Sequence, residues 1–312
     1  MSTLLSILDV SLESGFMYAM MVMGFCITYS IMDFPDMTVE GTVLTGGVVF
    51  ALLVNAGISP YIAIIAAFIC GAIAGSVTGV LHVKLNIRPL LCGILVSTAL
   101  ITVNLIVTVV GMGGSFSGEG ALTTVSIGRS VPVLYRVFPF NLIPEGILNL
   151  NLRKLVAFAV VTVIVKILLD LYLKTKNGML IYATGNNERF TAMLARNPGT
   201  SKIVGLAIGN GLAAVTGALI SQSRGNANQG MGIGMVVIGI ASVIIGTSIF
   251  KNAHKMKLTT KVIIGSVIYQ ACLAIASFLG VPTAYNKLIM AILFTVALVV
   301  SGKIDLKGGK KA

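Results

Sequence analysis

Apolar residues in this chain run in long, nearly unbroken stretches. They fall at about 12–32, 40–56, 60–81, 91–111, 154–173, 202–222, 232–249, 259–279 and 284–301. Most approach the roughly 20 residues that a helix needs to cross about 30 Å of hydrocarbon. Helices apolar all round belong in lipid or in the middle of a large core. A chain of 312 residues is too short to bury so much apolar surface in a water-soluble core. The pattern predicts an all-α fold, a polytopic transmembrane helical bundle. It has about eight to ten membrane spans, with one or more helices broken or re-entrant, in a single domain over residues 1–312.

Composition agrees: 56% of residues are hydrophobic and 10% charged, where a soluble domain carries about 25% charged. Charge then sets topology. His82, Lys84 and Arg88 join spans three and four; Lys174, Lys176, Arg189, Arg196 and Lys202 join five and six. Lys251, Lys255, Lys257 and Lys261 join seven and eight, and Lys303, Lys307, Lys310 and Lys311 end the chain. Alternate loops are basic, so the positive-inside rule puts them, and the C-terminus, in the cytoplasm. Loops near 112–153, 223–231 and 280–285 face outward, although Arg129, Arg136, Arg153 and Lys154 pull against that assignment for the long outer loop. The net charge of +12 therefore marks topology and not nucleic-acid binding. Four cysteines, one per apolar segment, have no metal-ligand spacing and read as small packing residues.

The second span is short and follows "MDFPDMTVEG", where Asp33, Asp36 and Glu40 have no basic neighbour. A long span, a polar break and a short Gly-rich span recur at 202–249, with "RGNANQGMGIG" as the break. Repeated halves with broken helices are a common transporter plan. Gly71, Gly75 and Gly79 form a small-residue stripe, and Gly205, Gly209 and Gly217 repeat the theme, as closely packed membrane helices require. A carboxylate at the bilayer centre is costly. Asp36 and Glu40 therefore line a hydrated path or, for Asp36, cap the helix that starts near Thr38. Lys166 and Asp170 neutralise one another at i, i+4. Asn104, Asn210 and Gln270 bond between helices or line the path, and Asn228 and Gln229 lie in the second break.

The stretch "YATGNNERFTAMLARNPGTSK" is a polar island between spans. Asn186 or Asn187 caps a short helix, Glu188 sits in its first turn and Arg196 near its end. Pro198 and Gly199 are expected to stop it. Phe190, Met193 and Leu194 share one face, while Glu188, Arg189 and Arg196 point elsewhere. Such a helix either lies on the membrane surface or docks its apolar knobs into a soluble partner.

"ATGNNERFTAMLARNPGTSKIVGLAIGNGLAAVTGALI" resembles the cytoplasmic coupling loop and following span of ABC importer permeases. Those form the family of branched-chain amino acid, ribose and nucleoside permeases. "GSVTGVLHVKLNIRPLLCGILVSTAL" and "GMVVIGIASVIIGTSIF" resemble two further stretches of it, and the likeness spans roughly 15–300. Where that family often has Asp-x-Ser-x-Gly, this chain has Asp36, Thr38 and Glu40, which is similar to an amino acid (tryptophan-type) branch.

The resemblance implies a permease subunit in a prokaryotic cell membrane, with a coupling loop at about 174–201. Gly185, Asn186, Asn187, Glu188, Arg189, Phe190, Met193, Leu194 and Arg196 would engage ABC ATPase subunits. Asp36, Thr38, Glu40, Asn104, Asn228 and Gln229 would border the substrate pathway. It further implies a second permease copy, an extracellular or periplasmic substrate-binding lipoprotein, and ATP and Mg bound by the ATPase. The chain itself has no phosphate-binding Gly-rich loop, catalytic set or metal cluster, so neither a cofactor nor an enzymatic role is expected of it. Sugar or nucleoside transport, or ion-coupled secondary transport, are the competing readings.

Overall fold

The computed structural model describes residues 2–113, 124–128, 131–142, 152–186, 191, 197–253, 255–280 and 285–308. Ten α-helices occur among them: α1 (Ser2–Phe25), α2 (Val39–Asn55), α3 (Pro60–Leu85), α4 (Pro89–Gly111), α5 (Leu152–Leu173), α6 (Lys176–Asn186), α7 (Pro198–Arg224), α8 (Met235–Ile249), α9 (Leu258–Phe278) and α10 (Asn286–Gly308). Two short strands, β1 (Thr124–Ser126) and β2 (Asn226–Asn228), pair antiparallel. Seven helices are long and apolar enough to cross a membrane, and Val39–Asn55 and Leu288–Val299 are shorter apolar helices. Polytopic bundle is the architecture.

Helix ends follow local chemistry. Pro60, Pro89 and Pro198 each stand at the start of a helix, where their missing N–H costs nothing. Pro198 thus opens α7, and Asn197 caps it by accepting from the Gly199 N–H at 2.9 Å; the segment that Pro198 and Gly199 are expected to stop lies outside the described residues. Span six starts at 198, ahead of the 202 expected from hydrophobicity. α1 continues through a π-helix at Cys26–Ile31 and stops where Asp33 turns left-handed, at φ 51°. α7 ends on Gly225, at φ 74°.

The two ends of the bundle are distinct. At one, His82 of α3 meets Lys202 of α7 at 3.3 Å. Asp170 of α5 there accepts from Lys166 at 3.0 Å, Lys257 at 2.9 Å and Thr259 at 2.6 Å. The Lys166–Asp170 pair is thus one part of a four-residue cluster. At the other end, Asn55 of α2 donates to the Ser126 carbonyl at 2.8 Å. Ile127 N–H there reaches the Gly225 carbonyl at 2.8 Å, and Ser223 donates to Glu13 at 2.9 Å. α1 therefore runs toward the basic end and α7 away from it.

The two breaks turn back in opposite senses. From the basic end, residues 32–38 return into the bundle, and α2 starts inside it and runs outward. From the opposite end, residues 225–234 re-enter, and α8 starts inside and runs toward the basic end. α1 packs on α9 and α7 on α3, so each long helix lies against the third helix of the other unit. The repeat is an inverted one.

Glycines make this packing possible. The α3 stripe faces α7: a methyl at Gly71 would lie 2.6 Å from the Asn210 carbonyl oxygen, and one at Gly75 would overlap that of Leu206. Gly209 faces Thr28 of α1, Gly205 faces Met32, and Gly217 faces the Val43 carbonyl of α2. Backbones in contact gain dispersion energy that bulky lipid-like side chains cannot supply between membrane helices. On the outside, Ile62, Ile65, Ile69 and Ile73 of α3 and Ile164, Leu168 and Leu171 of α5 are exposed. That apolar exterior suits lipid.

Candidate functional site

At mid-depth the two half-helices meet. Asn210 lies about 18 Å from the start of α7 and about 21 Å from its end at 1.5 Å per residue, and its amide anchors the first break. Its Nδ2 donates to Asp36 Oδ2 at 2.6 Å and to the Leu206 carbonyl at 3.0 Å. Its Oδ1 accepts from Thr42 at 3.0 Å. Asp36 Oδ1 accepts from the Thr38 N–H at 2.9 Å, just ahead of α2, and the Thr38 and Thr78 hydroxyls share a bond of 2.8 Å. Asp36 is 1% exposed. The network gives each of its carboxylate oxygens a donor, as burial demands.

Glu40, half-buried in the first turn of α2, reaches across the repeat. Its Oε1 accepts from the Gly234 N–H at 3.0 Å, where Gly234, at φ 87°, precedes α8. One carboxylate thus sits where two helix N-termini converge, and the positive ends of both dipoles favour it. Gly232 is pressed on the Glu40 carbonyl so closely that a methyl group would overlap it. Asn104 of α4 donates to the Gly41 carbonyl at 3.3 Å, bracing the same turn. Asp36, Thr38, Glu40 and Asn104 therefore gather around the start of α2. Asn228 and Gln229 do not join them: both are half-buried farther along the second break, Asn228 paired with Thr124 in the small sheet.

Sequence reasoning missed Gly232 and Gly234 and did not join Asn210 to Asp36. "MGIG" inside an otherwise apolar run was the available signal for the first pair. Asn210 stands between Gly209 and Gly211, a polar residue in a small-residue stretch.

Of the predicted coupling residues, Gly185 and Asn186 end α6 at the basic end. A methyl at Gly185 would overlap the Ile31 carbonyl, so α6 rests directly on the end of α1 and the start of the first break. A cleft of about 620 Å³ opens there, bordered by Tyr29, Asp33, Tyr182, Asn186 and Leu258. Asn187, Glu188, Arg189, Phe190, Met193, Leu194 and Arg196 lie outside the described residues. Thr191 in their midst is fully buried.

Residues 7–298 match the family model described as branched-chain amino acid transport system / permease component. The tyrosine transport system permease protein of Clostridioides difficile (strain R20291) is 38% identical over 98% of this chain and 93% of its own length. An uncharacterized protein of Rickettsia prowazekii (strain Madrid E) is 30% identical over 94% of this chain and 97% of its own. The ribose import permease protein of Escherichia coli (strain K12) is 23% identical over 86% of this chain and 77% of its own. No solved structure matches the chain significantly. A match over nearly the whole chain, on a polytopic helical bundle, decides the assignment: the protein belongs to the family of branched-chain amino acid transport system permease components.

Proposed function

We propose that this chain is the membrane-spanning subunit of an ATP-driven importer for an amino acid, with tyrosine and other aromatic amino acids the first substrates to test. The observation that carries this reading is the 38% identity, along almost the full chain, with a tyrosine transport system permease. Glu40 supports it physically. The Glu40 carboxylate, at the convergence of two half-helices, offers a partner to the ammonium group of an amino acid, which a sugar lacks. The more distant ribose permease relatives keep sugar transport as the second reading.

In this mechanism the basic end faces the cytoplasm, with the C-terminus on the same side, and a substrate-binding protein delivers solute at the opposite end. Two copies of the chain pair in the membrane and dock on ATPase subunits through the segment 186–196. ATP and Mg stay on those subunits. ATP binds one conformation of the assembly more tightly than the other, and that difference biases the permease between outward- and inward-open states. Motion enters through α6. Gly185 bears on Ile31, so displacement of α6 moves the first break and with it Asp36 and Glu40. The Asp170 cluster carries the same push to the start of α9.

Co-expression with the candidate ATPase tests the reading. Stable co-purification is expected, and Phe190→Asp with Leu194→Asp should abolish it while the permease stays folded. Reconstituted vesicles should then accumulate labelled tyrosine only with ATP. Gradient-driven uptake by the isolated chain would overturn the proposal, and ribose uptake without tyrosine uptake would favour the second reading.

A further inference from the structure

Asp33 carries a charge that its own fold does not use. It ends the π-helical close of α1 in the left-handed conformation, at φ 51°, and is exposed at the basic end of the bundle. Asn or Gly takes up that backbone conformation as readily, so the turn accounts for a short residue but not for a carboxylate. Neighbouring charges do not account for it either. Asp170, the other acidic side chain described at this end, is met by Lys166, Lys257 and Thr259. Lys84, Arg88, Lys255 and Lys257 are exposed at the same end. Yet among the described residues no cation pairs with Asp33.

Asp33 lines the cleft of about 620 Å³ together with Tyr29, Ser30, Tyr182, Asn186 and Leu258. Three elements build it. The end of α1 supplies Tyr29 and Asp33, and α9 supplies Leu258 at its start. α6 supplies Tyr182 and Asn186, four residues apart and so on one face. The close approach of Gly185 to the Ile31 carbonyl holds α6 against that end of α1. A carboxylate, two tyrosines and a side-chain amide bordering one opening suit an organic cation. The carboxylate offers charge-assisted hydrogen bonds, the tyrosine rings attract ammonium or guanidinium, and the amide oxygen accepts a further N–H.

We propose that this cleft receives a lysine or arginine side chain of the ATPase subunit. The inference rests on the ATPase docking proposed above and adds a second contact to it, on the first break and not on the segment 187–196. Two observations select this occupant. Asn186 borders the cleft and is the residue from which the proposed docking segment continues, so an ATPase seated on that segment lies beside the opening. One acidic spot in a cationic face is also a charge pattern that a partner matches with its inverse, one base among acids, and such matching fixes register. A cation held here bridges α1 and α6. The ATPase then grips both sides of the junction through which motion enters the permease.

Binding of the full chain in detergent to the purified candidate ATPase tests this. Asp33→Asn keeps the turn and removes the charge. Its Kd should rise about tenfold, the loss of one charge-assisted bond, and that gap should shrink as salt is raised to about 0.3 M. Tyr182→Ala should weaken binding about threefold, whereas Tyr182→Phe, which keeps the ring, should bind as the unaltered chain does. With p-benzoylphenylalanine in place of Tyr182, irradiation should join the chain to the ATPase. An unchanged Kd for Asp33→Asn, or cross-links only to lipid or to a second copy of the chain, overturns this inference and leaves docking through 186–196 standing. Failure of the unaltered chain to bind the ATPase at all overturns that docking, and this contact with it.

Discussion

The two broken units share a plan but are not held alike. In the first, α2 is pressed into α7 backbone to backbone: Gly46 abuts the Ala214 carbonyl and Gly217 the Val43 carbonyl. Its break is fixed by side chains, with Asp36, Asn210, Thr42, Thr38 and Thr78 in one hydrogen-bonded set. In the second, α8 touches α1 far less extensively than α2 touches α7. Gly239 meets the ring of Phe25 there instead of a carbonyl. Its break is held by the small sheet and by one N–H on Glu40. Ser242 Oγ of α8 and the Tyr269 Oη and Gln270 Nε2 of α9 are buried without partners among the described residues. A closed polar network rigidifies, whereas unmet polar atoms mark a place that expects water or movement. The first unit reads as a fixed wall of the bundle, the second as the part free to rearrange against it.

Glycine substitution should break this contrast most severely. Gly217→Val drives two methyl groups into a backbone carbonyl that cannot withdraw without parting α2 from α7. We expect a loss above about 3 kcal/mol, beyond ordinary overpacking, read as failure to recover monodisperse protein in detergent. Gly239→Ala meets only the Phe25 ring, and repacking should limit its cost to about 1–2 kcal/mol. Equal losses in thermal unfolding would erase the distinction between the units.

Polar replacements probe the same difference at a smaller scale. Asn210→Leu strips a donor from a buried carboxylate and the acceptor from Thr42, and should cost about 3 kcal/mol. Gln270→Met keeps volume and removes an unmet donor, so its effect on the melting temperature should be small or favourable. A destabilisation by Gln270→Met as large as that of Asn210→Leu would show that the second unit is equally well satisfied.

Much of this was legible beforehand because lipid imposes simple rules. Runs near 20 apolar residues locate helices; Pro35 with Asp33 marks one break and the Gly-rich "RGNANQGMGIG" the other. The stripe of Gly71, Gly75 and Gly79 announces a close helix neighbour without saying which. α1 begins at Ser2, ahead of the expected residue 12, because polar residues such as Ser6 and Asp9 in its first turns hide the helix from a search for apolar runs. What could not be read were pairings over long chain separations. Asp36 meets Asn210 across 174 residues and Glu40 meets Gly234 across 194. Neither leaves a local trace, since both depend on the inverted arrangement of the two units.

The smallest structural perturbation should carry the largest functional meaning. In Glu40→Gln the side-chain carbonyl oxygen still accepts from the Gly234 N–H, so stability should change by less than about 1 kcal/mol. Only the negative charge between the two helix N-termini disappears. If that charge receives the ammonium of an amino acid, the KM for uptake should rise about tenfold, the loss of one charge-assisted bond. Co-purification with the ATPase should be untouched, because the proposed docking segment follows α6, whose last residues Gly185 and Asn186 lie at the basic end and not at mid-depth. Reconstituted vesicles with a fixed concentration of binding protein would separate these outcomes. Unchanged uptake kinetics would reduce Glu40 to a cap for α8, and the contact between the two units would then be structural rather than part of the path.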